Sequence, residues 1–251
     1  MQTINMDVFY ESVMDVLDQL ETKETVHIQE AAKLCADAMA HDGVVHIFGS
    51  GHSVGFGAEC TGRPGSLVPF HMIETSDFVT KGLYSLAEFK DPDHIFERRP
   101  NIADKLYGLY DIRPQDVFIV ISNSGINGLV IDLAQTARDK GHPVIVITSL
   151  LHTLAEPSRH PSGKKLYELG DVVIDNCGPR GDALLDTGNE EKVCSISSIT
   201  GIYIAQTLNV EICRELMLMK QDIPLLYSEE VKDYQKHNAE LKNRYQGRIN
   251  L

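Results

Sequence analysis

Between residues 5 and 40, apolar side chains recur every three or four positions. Val8, Val13, Val16, Leu17 and Leu20 form one set, and Ile28, Ala31, Ala32, Leu34, Cys35 and Met39 continue it. Such spacing gathers them on one stripe and predicts helix. Asp42 and Gly43 then end the pattern in a turn. VVHIF (44–48) is short, unbroken and rich in β-branched and aromatic residues, the mark of a buried strand. DVFIVI (116–121), PVIVIT (143–148) and DVVID (171–175) have the same character, and SLVPFHMI (66–73) resembles them. Pro69 fits that last strand badly, because it cannot donate to a ladder.

Helical patterns fill the intervals. FGAECTG (56–62) reads as a helix stopped by Gly62 and Pro64, and 102–110 as another, after the breakers Asp91-Pro92 and Arg99-Pro100. LVIDLAQTARDKG (129–141) is amphipathic and closes on a glycine. HPSGKK marks an exposed loop, and 176–190 is a loop rich in Gly, Pro and Asp. Residues 193–220 read as one long helix, in which Gly201 is a weak point or a place of close packing. The tail from Ser228 is polar and helix-prone.

Continuous apolar strands alternating with helices predict a parallel sheet covered on both faces. The expected fold class is α/β, a three-layer αβα sandwich on a five-stranded parallel sheet. No repeat or linker divides the chain. One domain is expected, with N-terminal helices over 1–42, the α/β core over 43–220 and a helical tail over 221–251.

Bulk properties narrow the partners. The chain has 251 residues, 43% hydrophobic and 24% charged, as in ordinary globular proteins. It has no apolar run of membrane-spanning length. Its acidic, amphipathic start lacks the basic flank and apolar block of a signal peptide, so a cytoplasmic location is expected. A net charge of −13 opposes nucleic acid but not a small anion held by local N–H groups and hydroxyls. Five cysteines, an odd number with no C-x-x-C pair, are expected to be reduced and mostly buried. Among ten histidines there is no H-E-x-x-H motif. His71 with Glu74, or His152 with His160, have spacings a metal could use, but spacing alone is a weak signal. No metal and no other cofactor is expected.

Parallel sheets bind ligands at the carboxyl ends of their strands. Past the first strand lie Gly49, Ser50, Gly51, His52 and Ser53. Past DVFIVI lie Ser122, Asn123, Ser124, Gly125 and Asn127, and past PVIVIT lie Thr148 and Ser149. Glycines let the backbone turn and aim N–H groups, hydroxyls add uncharged donors, and a helix near Asn127 would present its positive end. Together they suit a phosphate. The plainer alternative is that Ser and Asn here only cap helices.

The stretch GSGHSVGFG (49–57) admits two other readings. Gly51-His52-Ser53-Val54-Gly55 fits the hydrolase elbow G-x-S-x-G. Only helix precedes its strand, however, and no oxyanion loop lies upstream; Asp175 and His237 are nominal partners. Gly49-x-Gly51 begins a dinucleotide fingerprint, and Glu74 could hold a ribose, but Val54 stands where the third glycine belongs. A bound dinucleotide would also leave SNSGIN unexplained.

GSGHS after the first strand and SNSGIN after the third resemble the sugar isomerase (SIS) domain family, which binds phosphorylated sugars. GHSVGFGAECTGRPG resembles the matching loop and helix of phosphoheptose isomerases. GDVVIDNCGPRGDALL and HNAELKNRYQGRINL resemble a bacterial branch of SIS proteins assigned as sugar isomerases. The resemblance covers nearly the whole chain. It implies a flavodoxin-like topology, a small-molecule sugar phosphate as partner, and homodimers or homotetramers with sites near subunit interfaces. It implies that Ser53, Ser122, Ser124 and Asn127 ring the phosphate, with Thr148 and Ser149 nearby. Ser50, Gly51, Asn123 and Gly125 complete the two loops. Glu59 stands where phosphoheptose isomerases carry a catalytic glutamate.

Aldose–ketose isomerisation through an enediol needs a base at carbon and a proton donor at the oxygens. Glu59 is the candidate base. Phosphoheptose isomerases add a histidine on the C-terminal helix, but residues 193–220 contain none; Gln206, Asn209 and Glu211 are the polar residues there. His52 is the candidate substitute. Two functions follow: a phosphosugar isomerase, or a sugar-phosphate sensor without turnover.

Overall fold

The computed structural model describes residues 4–99 and 101–250; Pro100, read above as a breaker, lies outside them. The first pattern folds as one helix, α1 (Met6–Ala40). Asn5 caps it, its side chain accepting from the Val8 N–H at 2.9 Å. At 35 residues it is about 50 Å long. Its second half is the buried part. Met6 and Tyr10, near its start, are 80% and 65% exposed.

Five strands follow: β1 (Val45–Gly49), β2 (Phe70–Ile73), β3 (Val117–Ile121), β4 (Val144–Thr148) and β5 (Val172–Asp175). All pair in parallel in the order β2-β1-β3-β4-β5. This is the flavodoxin-like order, and its reversal places β1 beside β3, with Gly49 opposite Ile121. Alternate residues serve opposite faces. Ile47 and Ile119 join the core under α1, α2 (Val54–Cys60) and α8 (Ser197–Leu218). Phe48 and Phe118 join the core under α5 (Ala103–Tyr107) and α6 (Gly128–Asp139). Burial pushes the Cys35 and Cys60 thiols well above their ordinary pKa, so both behave as small apolar groups.

Three boundaries differ from the sequence reading. β2 begins after Pro69, whose carbonyl still accepts from Val45 N–H at 2.9 Å. The helix expected over 102–110 is the shorter α5. The long helix begins at Ser197 rather than 193, because Asp182 accepts from both the Ser197 N–H and its hydroxyl, each at 2.8 Å. Residues before it form β7 (Lys192–Ser195), antiparallel to β6 (Ala183–Asp186), inside what reads as loop. Gly201 does not mark close packing: an added Cβ would meet nothing within 4 Å, and α8 runs unbroken through it.

The helical tail contains α9 (Tyr234–Arg244) and ends in two buried residues, Tyr245 and Arg248. The Arg248 guanidinium donates to both carboxylate oxygens of Asp116, at 2.6 and 2.7 Å. Asp116 also accepts from the backbone of Val44 (2.9 Å) and Arg113 (2.7 Å) and faces His46 Nε2 at 3.1 Å. His46 Nδ1 lies 2.9 Å from His71 Nδ1. Burial alone would push the Asp116 carboxyl up, but the bonds from His46, Arg248 and the two N–H groups outweigh it and hold it at about 2. Burial and the neighbouring His46 hold His71 down at about 3, and burial lowers His46 against the pull of Asp116.

All three folded values lie below the unfolded ones, so the unfolded chain takes up protons first as pH falls. Their stabilisation is complete above about pH 6.5 and declines below it, through the histidines and then, from about pH 4 toward 2, through Asp116. Urea denaturation at stepped pH checks this; constant stability between pH 7 and 4 contradicts it. Arg248→Met leaves Asp116 buried without its cation and is expected to cost about 3–5 kcal/mol. Gly201→Ala, with room for its methyl group in a helix interior, is expected to stabilise by about 0.5–1 kcal/mol, visible as a raised Tm.

Candidate functional site

The two Gly/Ser loops leave adjacent strands at the same edge. The first follows β1. Gly51 has φ +58°, a left-handed conformation that favours glycine, and residues 51–53 form one 3-10 turn leading into α2. The second follows β3. Gly125 has φ +61°, and a Cβ there would lie 2.9 Å from Thr148 Oγ1 and 3.0 Å from Thr153 Oγ1. The Ser122 hydroxyl accepts the Gly125 N–H at 3.2 Å and shapes this loop from within.

A cavity of about 410 Å³ opens between these loops and α8. His52, Ser53 and Asn123 of the expected set line it. So do Asn176, Ser197, Ser198, Gly201 and Ile202, which the sequence reading missed. Asn176 follows β5 directly, so the rule that examines each strand end should have included it. Its side-chain amide donates to Asn123 Oδ1 at 2.9 Å. Ser197 and Ser198 come from the first turn of α8, too far along the chain for strand-end reasoning to reach.

Thr148 and Ser149 stand behind the loops, fully buried. The Thr148 hydroxyl bonds to the Asn123 carbonyl (3.3 Å) and Thr153 Oγ1 (2.9 Å); Ser149 donates to the Gly178 carbonyl (2.7 Å) and caps α7 (Leu150–Ala155). Both brace the loops. The capping alternative therefore holds for Ser149. It fails for Asn127, which stands at the cap position of α6 yet makes no side-chain bond to its first turn. Asn127 donates instead to Glu97 Oε1 at 3.2 Å and accepts from Arg159 at 2.8 Å. Ser50 and Ser124 are partly exposed at the loop surface.

Glu59 lies elsewhere. Its carboxylate accepts from Arg63, one turn along, and from the side-chain amide of Gln206 on α8. It lines a separate cleft of about 360 Å³ with Pro64, Ser66 and Asn209. Seven residues separate it from His52, about 10 Å along the helix. The expected pairing of Glu59 with His52 is thus not assembled within this chain: the two line different cavities. Gln206, not histidine, faces Glu59. Beside it, Asn209 donates to the Gly65 carbonyl at 3.2 Å, and its buried Oδ1 has no partner among the described residues.

The other sequence candidates are engaged structurally. His71 packs on Tyr110 and contacts His46, while Glu74 accepts from Ser76. Asp175 accepts from the Leu150 and Cys177 N–H groups, and His237 stacks on Tyr227 with its Nε2 at the Leu225 carbonyl. Among the described residues, no three His, Cys, Asp or Glu side chains cluster to hold a metal ion, and no helix is long and apolar enough to cross a membrane.

The SIS domain model matches residues 8–149. A UPF0309 protein of Listeria monocytogenes serotype 4b is 35% identical over 237 residues, covering 94% of each chain. One from Geobacillus sp. is 34% identical over 245 residues, covering 96% of each. Among solved structures, the phosphoheptose isomerase GmhA of Neisseria gonorrhoeae aligns with a TM-score of 0.56 at 19% identity, over 83% of this chain and 96% of that one. A phosphoheptose isomerase of Francisella tularensis gives 0.54 at 17%, over 83% and 96%. At such identities these structures speak for the fold, which they share. The chain belongs to the SIS domain family and, with its sequence relatives, to the UPF0309 proteins.

Proposed function

We propose that the chain binds a phosphorylated sugar or amino sugar at the edge where the β1 and β3 loops meet. One observation carries this: two Gly/Ser loops on adjacent strands open onto a single cavity where Ser53, Asn123, Asn176, Ser197 and Ser198 stand beside the apolar Phe56, Ile121 and Ile202. Asn127 leaves the first turn of α6 without a side-chain cap, so its amides suit an anion. Ser53, which lines the cavity, and Ser122, Ser124 and Asn127 of the adjoining β3 loop, which lie outside its lining, are the proposed phosphate ligands, with Asn123, Asn176 and Ser197 toward the sugar. Thr148 and Ser149 act from behind by holding the loops.

In the proposed reaction, Glu59 takes the proton from the carbon beside the carbonyl as the carbonyl oxygen gains one from water, and returns it to the former carbonyl carbon of the enediol as the neighbouring hydroxyl gives its proton back to water. Gln206 holds that carboxylate and cannot itself supply a proton as a histidine does. Binding without turnover is the second reading. The separation of Glu59 from the His52 cavity favours it. Assembly into homodimers or homotetramers is part of the proposal. The apolar start of α1 and Ile202, 38% exposed at the cavity, suit a face covered by another copy.

A thermal-shift screen with sugar phosphates, amino-sugar phosphates and nicotinamide dinucleotides tests the binding. Saturation near 100 times Kd stabilises by about 2.7 kcal/mol. Sugar phosphates are expected to raise Tm, and Ser124→Ala to weaken the rise; a response to dinucleotides alone defeats the reading. Gly201→Leu, aimed into the cavity, is expected to lower affinity at least about tenfold while the fold survives. Glu59→Gln separates the two functions: loss of turnover with binding retained identifies the isomerase.

A further inference from the structure

The segment before α5 is irregular, and the sequence gives it no function. It contains α3 (Asp77–Thr80), α4 (Leu86–Phe89) and a 3-10 turn over 96–98. It carries bonds of its own beside those to the core, where Phe78 is buried, and to Tyr110, which donates to Asp77. Ser85 and Glu88 form a reciprocal cap, and Arg99 donates to the carbonyls of Glu88 and His94. Phe96 anchors it, packing against Phe78, Tyr84 and Phe89. The next residue, Glu97, turns the other way, toward the two loops.

Glu97 Oε1 accepts from the Asn127 side-chain amide at 3.2 Å. Its Oε2 lies 3.9 Å from where a Cβ on Gly51 would stand. A carboxylate of the chain therefore sits between the β1 loop and the start of α6. Among the described residues no cationic side chain pairs with it: its side-chain hydrogen-bond partner is the Asn127 amide, and the neighbouring Arg159 bonds to the other end of that amide. Loop amides and an uncapped helix end favour negative charge there.

We infer that Glu97 is a gate, holding the seat of the ligand's phosphate until the phosphate binds and displaces it. The inference rests on the proposed sugar-phosphate site and adds its regulation. Two anions cannot share the seat without strong repulsion. Bound phosphate must expel the carboxylate, which frees the Asn127 amide to donate to it. Phe96 is the buried residue of the turn over 96–98 and Arg98 is exposed, so the Glu97 side chain can turn away from Asn127 while Phe96 stays in the core. Only ligands that displace Glu97 are admitted, so weak anions such as sugar carboxylates are excluded.

Glu97→Gln tests the gate. Glutamine can still accept from Asn127 but carries no charge. Titration calorimetry with fructose 6-phosphate and with inorganic phosphate is expected to show about tenfold tighter binding to Glu97→Gln than to wild type, and also to Glu97→Ala. A second readout is hydrogen exchange. The Arg98 and Arg99 N–H groups, which bond to Ile95 and Phe96 carbonyls, are expected to exchange faster in wild type at saturating ligand. Wild type that binds, with variants that bind equally or more weakly, overturns the gate and leaves the site standing. If neither wild type nor the variants bind any sugar phosphate or inorganic phosphate, site and gate fail together.

Discussion

The carboxylate of Asp116 is the point on which the arrangement turns. It stands immediately before β3 and is fully buried. It takes the Val44 N–H where the chain leaves α1 for β1, His46 within β1, the Arg113 N–H before β3, and the Arg248 guanidinium from the tail. One side chain thus fixes the amino ends of the two central strands relative to each other and closes the C-terminal tail over them. A buried carboxylate with four donors around it has no comparable alternative register.

That restraint matters at the opposite edge. β1 and β3 are five residues each, fully buried and in unbroken register from Val45↔Val117 to Gly49↔Ile121. Fixing one end fixes the other, and the Gly/Ser loops emerge side by side. The left-handed glycines, Gly51 and Gly125, then turn each loop toward its neighbour. Thr148 and Thr153 fill the space behind Gly125 so closely that no side chain fits there. Rigid support beneath small polar groups is what the proposed anion seat in an acidic protein needs. The average field repels the ligand, so only fixed local dipoles can hold it.

The sheet was legible because each strand is a continuous apolar run and each helix keeps its period. The loops were legible because sites in such sheets collect at strand ends. The remainder depends on contacts distant in sequence. Arg248 sits in a polar tail, and nothing local shows that its guanidinium is buried against Asp116, 132 residues away. β6 and β7 are short and half exposed, so they lack the apolar signature of the main sheet. Glu97 reaches the loops from a segment with no periodicity. Thr148 and Ser149 look like ligands by position, yet their hydroxyls are spent on loop carbonyls.

The division of the site along α2 and α8 constrains any chemistry proposed for it. Ser197, Ser198, Gly201 and Ile202 line the cavity of the phosphate loops, while Gln206 and Asn209, one to three turns further along the same helix, line the cleft of Glu59. The two spaces are therefore consecutive stations along one helix pair. A sugar phosphate held by the loops reaches Glu59 only by extending along that seam, with its carbonyl end toward Gln206. In the proposed enzyme, a cyclic sugar would stop at the first station, and only an open chain would span the roughly 10 Å to the second. Isomerisation acts on the open chain, since the proton to be moved lies beside a free carbonyl. In the proposed enzyme, the distance between the loops and Glu59 would itself select the reactive form. In a binding protein, the ring would remain beside Gly201, and Glu59 with Arg63 and Gln206 would serve only to join α2 to α8.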